Sequence, residues 1–394
     1  MNDEVKNYIQ VLLETIQEGL DFLKTENNQQ IKNDICEAKK CIESALEQEL
    51  NCSLSQRINI NALNNQEWVH IINLIIDETE NPFIIKNQYD KYFMRLIHYL
   101  WKSSEEQMVS VMKKNMEQLK KSSEETYRGF VYYFERFPLW GKLYPQQNNY
   151  ETLELRAATL KRRSYDFIWL YKQLEDYLSK RTLYAVLINW AVLDFSELVK
   201  VKSIFPDYYE PDIFTDNKDD IFVDVGAFIG DSIQSYISAY GTSYKKIYAY
   251  EISKESCEQI KINTQNFHDI IICQKGLGSQ KDVMYIEKNQ ETSANKLSNN
   301  NEDEKVDIVT LDEDIKEKVT FIKMDIEGAE QGALLGCRNK IQTDKPKLAI
   351  CTYHGYEDIW KIPQMIYEMN PNYKFYMRHN GGNLIPTEFV LLCK

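Results

Sequence analysis

Apolar residues recur at helical spacing through the first two hundred positions of the chain. Val5, Ile9, Leu12, Ile16, Leu20 and Leu23 fall three or four apart, and Ile31, Ile35, Ala38, Ile42 and Leu46 repeat the stripe after a polar stretch at 25–30. Two stripes joined by a short polar turn predict an αα-hairpin. Helical patterns continue at 68–76, 89–121 and 153–201, with a break at 138–149 where Pro138, Gly141 and Pro145 punctuate the chain. The Met and aromatic positions on these helices read as core.

After Pro206 short β-rich runs alternate with helical segments. Strands are predicted at 221–225, 246–250, 270–273, 320–324, 348–352, 373–378 and 389–393. An inserted antiparallel pair at 282–287 and 306–310 is joined by the polar, Asn-rich segment 289–305, read as a surface loop. Strands alternating with helices require a mostly parallel, helix-covered sheet. The expected fold class is therefore α/β, a Rossmann-like seven-stranded sheet at 206–394 preceded by an all-α region at 1–205.

A length of 394 residues agrees with two domains, and 43% hydrophobic with 27% charged residues excludes a disordered or fibrous chain. A net charge of −13 would repel a phosphate backbone or an anionic membrane surface, so no nucleic-acid partner is expected. The chain starts without a basic segment followed by an apolar one, and the longest apolar run, 183–193, is broken by Asn189 and too short to span a bilayer. Eight cysteines without a C-x-x-C pair read as reduced thiols, and a cytoplasmic location is expected.

The chemistry concentrates in Ile221-Phe-Val-Asp224-Val-Gly226-Ala227-Phe228-Ile-Gly230-Asp231. An apolar strand delivers Asp224 to its carboxyl end, and the glycines let bare backbone approach a ligand before a helix starts near Asp231. The second strand ends in Glu251 and Ile252, and Glu251 follows Gly230 by 21 residues, the offset at which an acid receives ribose hydroxyls in such folds. The G-x-G-x-x-G turn that suits a pyrophosphate is missing, which disfavours an NAD-dependent oxidoreductase. An acid at the mouth of the turn suits a ligand with an ammonium and a sulfonium, as S-adenosyl-L-methionine (SAM) has. Gly276 and Leu277 after the third strand are candidates to admit and cover an adenine, and Asp325 after the fourth strand completes the candidate donor-binding set.

The segments 222–231 and 248–251, Val309-Thr-Leu-Asp312, Lys323-Met-Asp325-Ile-Glu327-Gly-Ala-Glu330 and Ala349-Ile-Cys-Thr-Tyr-His354 together resemble, in that order, the FkbM-type methyltransferases. The resemblance covers about 208–394 and departs at Ile252, where family members often carry proline. It implies SAM as cofactor and methyl transfer to oxygen, with a saccharide hydroxyl or a related small molecule as acceptor.

An in-line methyl transfer to an alcohol needs a base at the carboxyl edge of the sheet. His354 is the first candidate and His379 the reserve, with Asp325 and Glu327 beside it as catalytic candidates. Asp325, Glu327 and Glu330 are of a type to hold a hard cation, but one of the glutamates also suits a helix cap, and no metal is assigned. The competing reading is a catalytically inactive scaffold in glycan assembly. On either reading the N-terminal helices are candidates for a protein partner or self-association.

Overall fold

The computed structural model describes residues 83–215, 218–287, 296–298 and 304–394. The expected hairpin at 5–46, the helix at 68–76 and most of the 289–305 segment lie outside the described residues. In chain order the helices are α1 (Gln88–Lys102), α2 (Glu105–Ser122), α3 (Glu124–Arg136), α4 (Glu151–Arg162), α5 (Ser164–Gln173), α6 (Tyr177–Val192) and α7 (Ser196–Lys200). There follow β1 (Ile221–Val225), α8 (Asp231–Tyr240), β2 (Lys246–Tyr250), α9 (Lys254–Thr264), β3 (Ile270–Cys273), β4 (Gly276–Leu277), β5 (Asp282–Glu287), β6 (Lys296–Ser298) and β7 (Glu304–Val309). The chain ends with α10 (Leu311–Asp314), β8 (Phe321–Met324), α11 (Glu330–Leu335), α12 (Arg338–Thr343), β9 (Lys347–Cys351), α13 (Asp358–Met369), β10 (Phe375–His379) and β11 (Phe389–Cys393).

By contact the described residues form two compact units, one of residues 83–124, 150–172 and 190–193, the other of residues within 125–149, 173–189 and 194–394. In the first, Phe93, Leu96, Ile97 and Leu100 of α1, Met108, Met112 and Met116 of α2, and Leu153, Ala157 and Leu160 of α4 are buried. The continuous helical pattern at 89–121 is two helices because Ser104 caps a new start: its hydroxyl accepts the Gln107 N–H while the Gln107 side chain accepts the Ser104 N–H.

The second unit carries a seven-stranded sheet in the order β10-β11-β9-β8-β1-β2-β3. All neighbours pair in parallel except β11, which is antiparallel to both β9 and β10. Every residue of β1 and β8 is buried, as strands covered on both faces require. Phe222 of β1 stacks on Tyr236 of α8 at 4.7 Å, and Phe321 of β8 lies 5.2 Å from Phe222, which fastens α8 to the sheet. The fold is thus mixed α/β with a helical N-terminal region, and the strand ends differ from the sequence pattern by a residue or two.

The inserted pair differs from expectation. β5 and β7 are antiparallel as predicted, but they belong to a separate four-stranded sheet, β4-β7-β5-β6. β6, paired with β5, lies inside the stretch read as a loop. Its Lys-Leu-Ser sequence is too short and too polar in its surroundings to carry a strand signal; the pairing comes from its partner. The buried core of this sheet, Ile286, Val306 and Ile308, packs against Ile252 at the end of β2.

Among the described residues no helix is long and apolar enough to cross a membrane.

Candidate functional site

Five parallel strands, β1, β2, β3, β8 and β9, point their carboxyl ends to one edge, where open α/β sheets bind ligands. A cavity of about 640 Å³ opens there, within the range of about 300–1,000 Å³ usual for small-molecule sites. Gly226, Phe228, Asp231, Glu251, Ile252, Gly276, Leu277, Asp325 and Glu327 line it. Asp224, Ala227, Gly230 and His354 do not.

The turn after β1 is pinned to the end of β2. The N–H groups of Gly226 and Ala227 both donate to the Tyr250 carbonyl at 3.0 Å, and the Gly230 N–H donates to the Ala227 carbonyl at 2.7 Å. Ala227 is therefore buried as the inner wall of the turn. Gly230, at φ +85°, starts α8, and Gly226 is at φ +78°. Left-handed backbone at both positions is what glycine permits at no steric cost.

Glu251 is 9% exposed. One carboxylate oxygen accepts the Phe228 N–H at 2.9 Å and the other the Ser253 N–H at 2.8 Å. Burial pushes its carboxyl up, and these backbone donors pull against that. The acid is thereby held rigidly, with lone pairs left over on both oxygens.

Asp224 was expected to face the ligand and instead faces the protein. It is fully buried, 3.1 Å from the Lys323 ammonium of β8, and accepts the Ser232 hydroxyl. Lys323 also donates to the Gly226 carbonyl at 2.7 Å and reaches the cavity wall. The charge that sequence placed in the ligand's path is thus spent on a lysine, because neighbouring parallel strands set residues 224 and 323 side by side.

Next to this turn, the tips of β8 and β9 deliver an acidic cluster. Asp325 accepts the Tyr208 hydroxyl at 2.6 Å through one oxygen, and its other oxygen lies 3.3 Å from His354 Nε2. Glu327, at φ +56°, lies 3.8 Å from the same nitrogen. His354 Nδ1 is 2.9 Å from Glu330, which is fully buried and also accepts the Ile326 N–H at 2.8 Å. Burial alone would lower the His354 pKa, but the charge and hydrogen bond of Glu330, then Asp325 and Glu327, push it up to about 10. At neutral pH this imidazole carries both ring protons and has no lone pair to accept another. The expectation that His354 is a free base runs against the three carboxylates that the fold brings around it.

His379, the reserve candidate, sits in β10 away from the cavity with both ring nitrogens against carbonyls of Thr387 and Gly382. Tyr208, Lys323, Tyr353 and Glu388 also line the cavity and were not singled out by sequence. Glu388 accepts the Tyr353 hydroxyl at 3.0 Å, and burial followed by the charge of Asp325 pushes its carboxyl up to about 7. Its only sequence signal is its place immediately before β11; Tyr208 has none, being 117 residues from the Asp325 it bonds.

Residues 224–381 match the family model of the methyltransferase FkbM domain. Among solved structures, the chain is similar to a methyltransferase FkbM from Methylobacillus flagellatus KT, with 24% identity and a TM-score of 0.51 over 61% of this chain. The chain spans 62% of that structure's length. It is more distantly similar to an rRNA methylase from Streptococcus thermophilus, with 12% identity and a TM-score of 0.29 over 45% of this chain and 87% of that one. No curated protein matches the chain. With its seven-stranded, mostly parallel sheet and the match over residues 224–381, the C-terminal half of this chain is similar to the methyltransferase FkbM domain.

Proposed function

We propose that this protein transfers a methyl group from SAM to a hydroxyl oxygen of a saccharide or related metabolite. The observation that carries the reading is that the Gly226 turn and Glu251 line a single cavity together with Tyr208, Asp325, Tyr353 and Glu388. The glycines, apolar side chains and fixed carboxylate of its lining suit a nucleoside, and its hydroxyls and acids suit a polar acceptor.

In this reading the ribose hydroxyls donate to Glu251, whose two backbone hydrogen bonds fix its remaining lone pairs in direction. Ile252 and Leu277 flank the adenine, with the small sheet behind Ile252 as support. The methionyl end lies along Gly226 and Asp231. Glu388 is the group we assign to receive the acceptor's proton: unlike His354 it lines the cavity, and it is a carboxylate that titrates in the working range. The O–H bond breaks toward Glu388 as the acceptor oxygen attacks the methyl carbon, and S-adenosylhomocysteine leaves.

Two tests follow from these roles. Glu251→Ala should weaken SAM by about tenfold or more, since it removes a charged acceptor from a bound ligand (roughly 1.5 kcal/mol); titration calorimetry that finds full affinity would remove the donor placement. Glu388→Gln should cut kcat about 100-fold while SAM affinity stays within a factor of two or so, because only proton transfer is lost. An unchanged kcat with a simple sugar acceptor would take Glu388 out of the reaction.

A further inference from the structure

We propose that Asp325, Glu327 and His354 bind one divalent first-row transition cation at the acceptor end of the cavity. Each residue offers one ligand atom, and the three atoms lie within 4.8 Å of one another. His354 is 4% exposed, and its Nε2 has no hydrogen-bond partner although it faces Asp325 and Glu327. The Asp325 oxygen turned toward it is also buried and without a hydrogen bond. The two atoms face each other at 3.3 Å as an ion pair that makes no hydrogen bond, an arrangement a cation can take over once the Nε2 proton leaves.

The surroundings of each ligand support this. The second nitrogen of His354 meets the buried Glu330 carboxylate at 2.9 Å, and Glu330 is itself held by the Ile326 N–H. That is the carboxylate–histidine arrangement that fixes the tautomer and ring orientation of a metal-bound imidazole. The second oxygen of Asp325 is occupied by the Tyr208 hydroxyl at 2.6 Å. In both ligands one polar atom is anchored to the protein and the other is directed at a common point. Ligand atoms each about 2.0–2.2 Å from a cation stand about 3–3.5 Å apart at ordinary coordination angles, and the Asp325–His354 separation of 3.3 Å is of this size. Glu327, whose side chain is 22% exposed, stands 3.8 Å from the same nitrogen.

The donor set chooses the ion. Binding displaces the Nε2 proton of His354, and the two carboxylates with the resulting neutral imidazole carry a charge of −2, which a +2 ion balances. The nitrogen favours Mn²⁺ through Zn²⁺ over Mg²⁺ or Ca²⁺, which take oxygen alone. Three protein ligands leave coordination positions open toward the cavity that Asp325 and Glu327 line. An acceptor hydroxyl bound there would be positioned for the donor and made more acidic, so that its proton passes to Glu388 more readily. This last role rests on the methyl-transfer reading; the site itself does not.

The test uses the full chain after chelation and dialysis. Addition of Co²⁺ should produce a visible d–d absorption that saturates at one equivalent, and Zn²⁺ should compete it away while Mg²⁺ at the same concentration does not. Glu327→Gln, an isosteric change at a partly exposed turn, should weaken Co²⁺ at least tenfold, and His354→Ala should abolish the signal. Glu330→Gln should weaken it about 10–100-fold by loosening a positioning residue. His268→Ala, an exposed histidine paired with Asp269, should change nothing. No saturable binding, or the same binding in Glu327→Gln and His354→Ala, overturns the site. SAM calorimetry on the chelated protein separates the two claims: lost metal with intact SAM affinity rejects the cation alone, and intact metal without SAM affinity rejects the donor reading alone.

Discussion

Gly226→Ala should abolish measurable SAM binding and lower the unfolding midpoint of the sheet domain, although it adds one methyl group. A Cβ at this position would lie 1.9 Å from the Asp325 carbonyl oxygen and 2.9 Å from its carbonyl carbon. These are backbone atoms at the tip of β8, so no side chain can swing away. The residue is also at φ +78°, which costs an L-residue about 1–2 kcal/mol before any clash is counted. Relief requires the tips of β1 and β8 to part, and Asp325 N–H donates to the Val225 carbonyl at 3.0 Å in that same place. Strain and lost pairing together should exceed about 3 kcal/mol, and the displaced turn should reduce SAM affinity at least about 100-fold, by roughly 2.7 kcal/mol. Gly332→Ala is the control, since a Cβ there meets nothing within 4 Å in helix α11; it should be neutral or slightly stabilising. Calorimetry and urea unfolding read both effects. If Gly226→Ala keeps its SAM affinity and its midpoint, the close approach of the two strand tips does not build the site.

The same glycine marks where the sequence was legible. Strand, turn and helix follow one another within eleven residues from Ile221, and each carries a local signal: β-branched and aromatic residues, then glycine, then an acid opening a helix. The place of Glu251 at the cavity was legible for a similar reason, because its distance along the chain from the turn is set by one helix and one strand. β6 was not, since three residues of unexceptional composition became a strand only by pairing with β5. The roles of Asp224 and His354 were half legible. Their places at strand tips could be read, but what faces them could not: Lys323 is 99 residues from Asp224 along the chain, and Glu330 is 24 from His354 across two helices and a strand. Charge environment is a property of register between strands, and register is long-range.

Asp224→Ala discriminates between what the sequence suggested for that residue and what the structure shows. A carboxylate contacting the bound ligand would, on removal, weaken SAM and leave stability nearly unchanged. A carboxylate buried at 0% exposure against Lys323, itself 2% exposed, should do the reverse. Burial alone would lower the lysine's pKa, and the charge of Asp224 holds it up. Without Asp224 the ammonium loses its nearest counter-charge in a site where it also supports the Gly226 carbonyl. Removing one partner of a buried pair costs about 3–5 kcal/mol, since the other is left uncompensated. The double variant Asp224→Ala with Lys323→Met should recover much of this loss, because no unpaired charge remains, whereas two independent losses would add. Urea unfolding of the two singles and the double gives the coupling. A single-variant cost below about 1 kcal/mol, the size of an exposed pair, would show that the lysine finds another way to be solvated and that the wall of the donor cavity does not depend on this contact. A cost of the expected size, relieved in the double, would make Asp224 the residue that keeps Lys323, and through it the glycine turn, in the position from which the donor is bound.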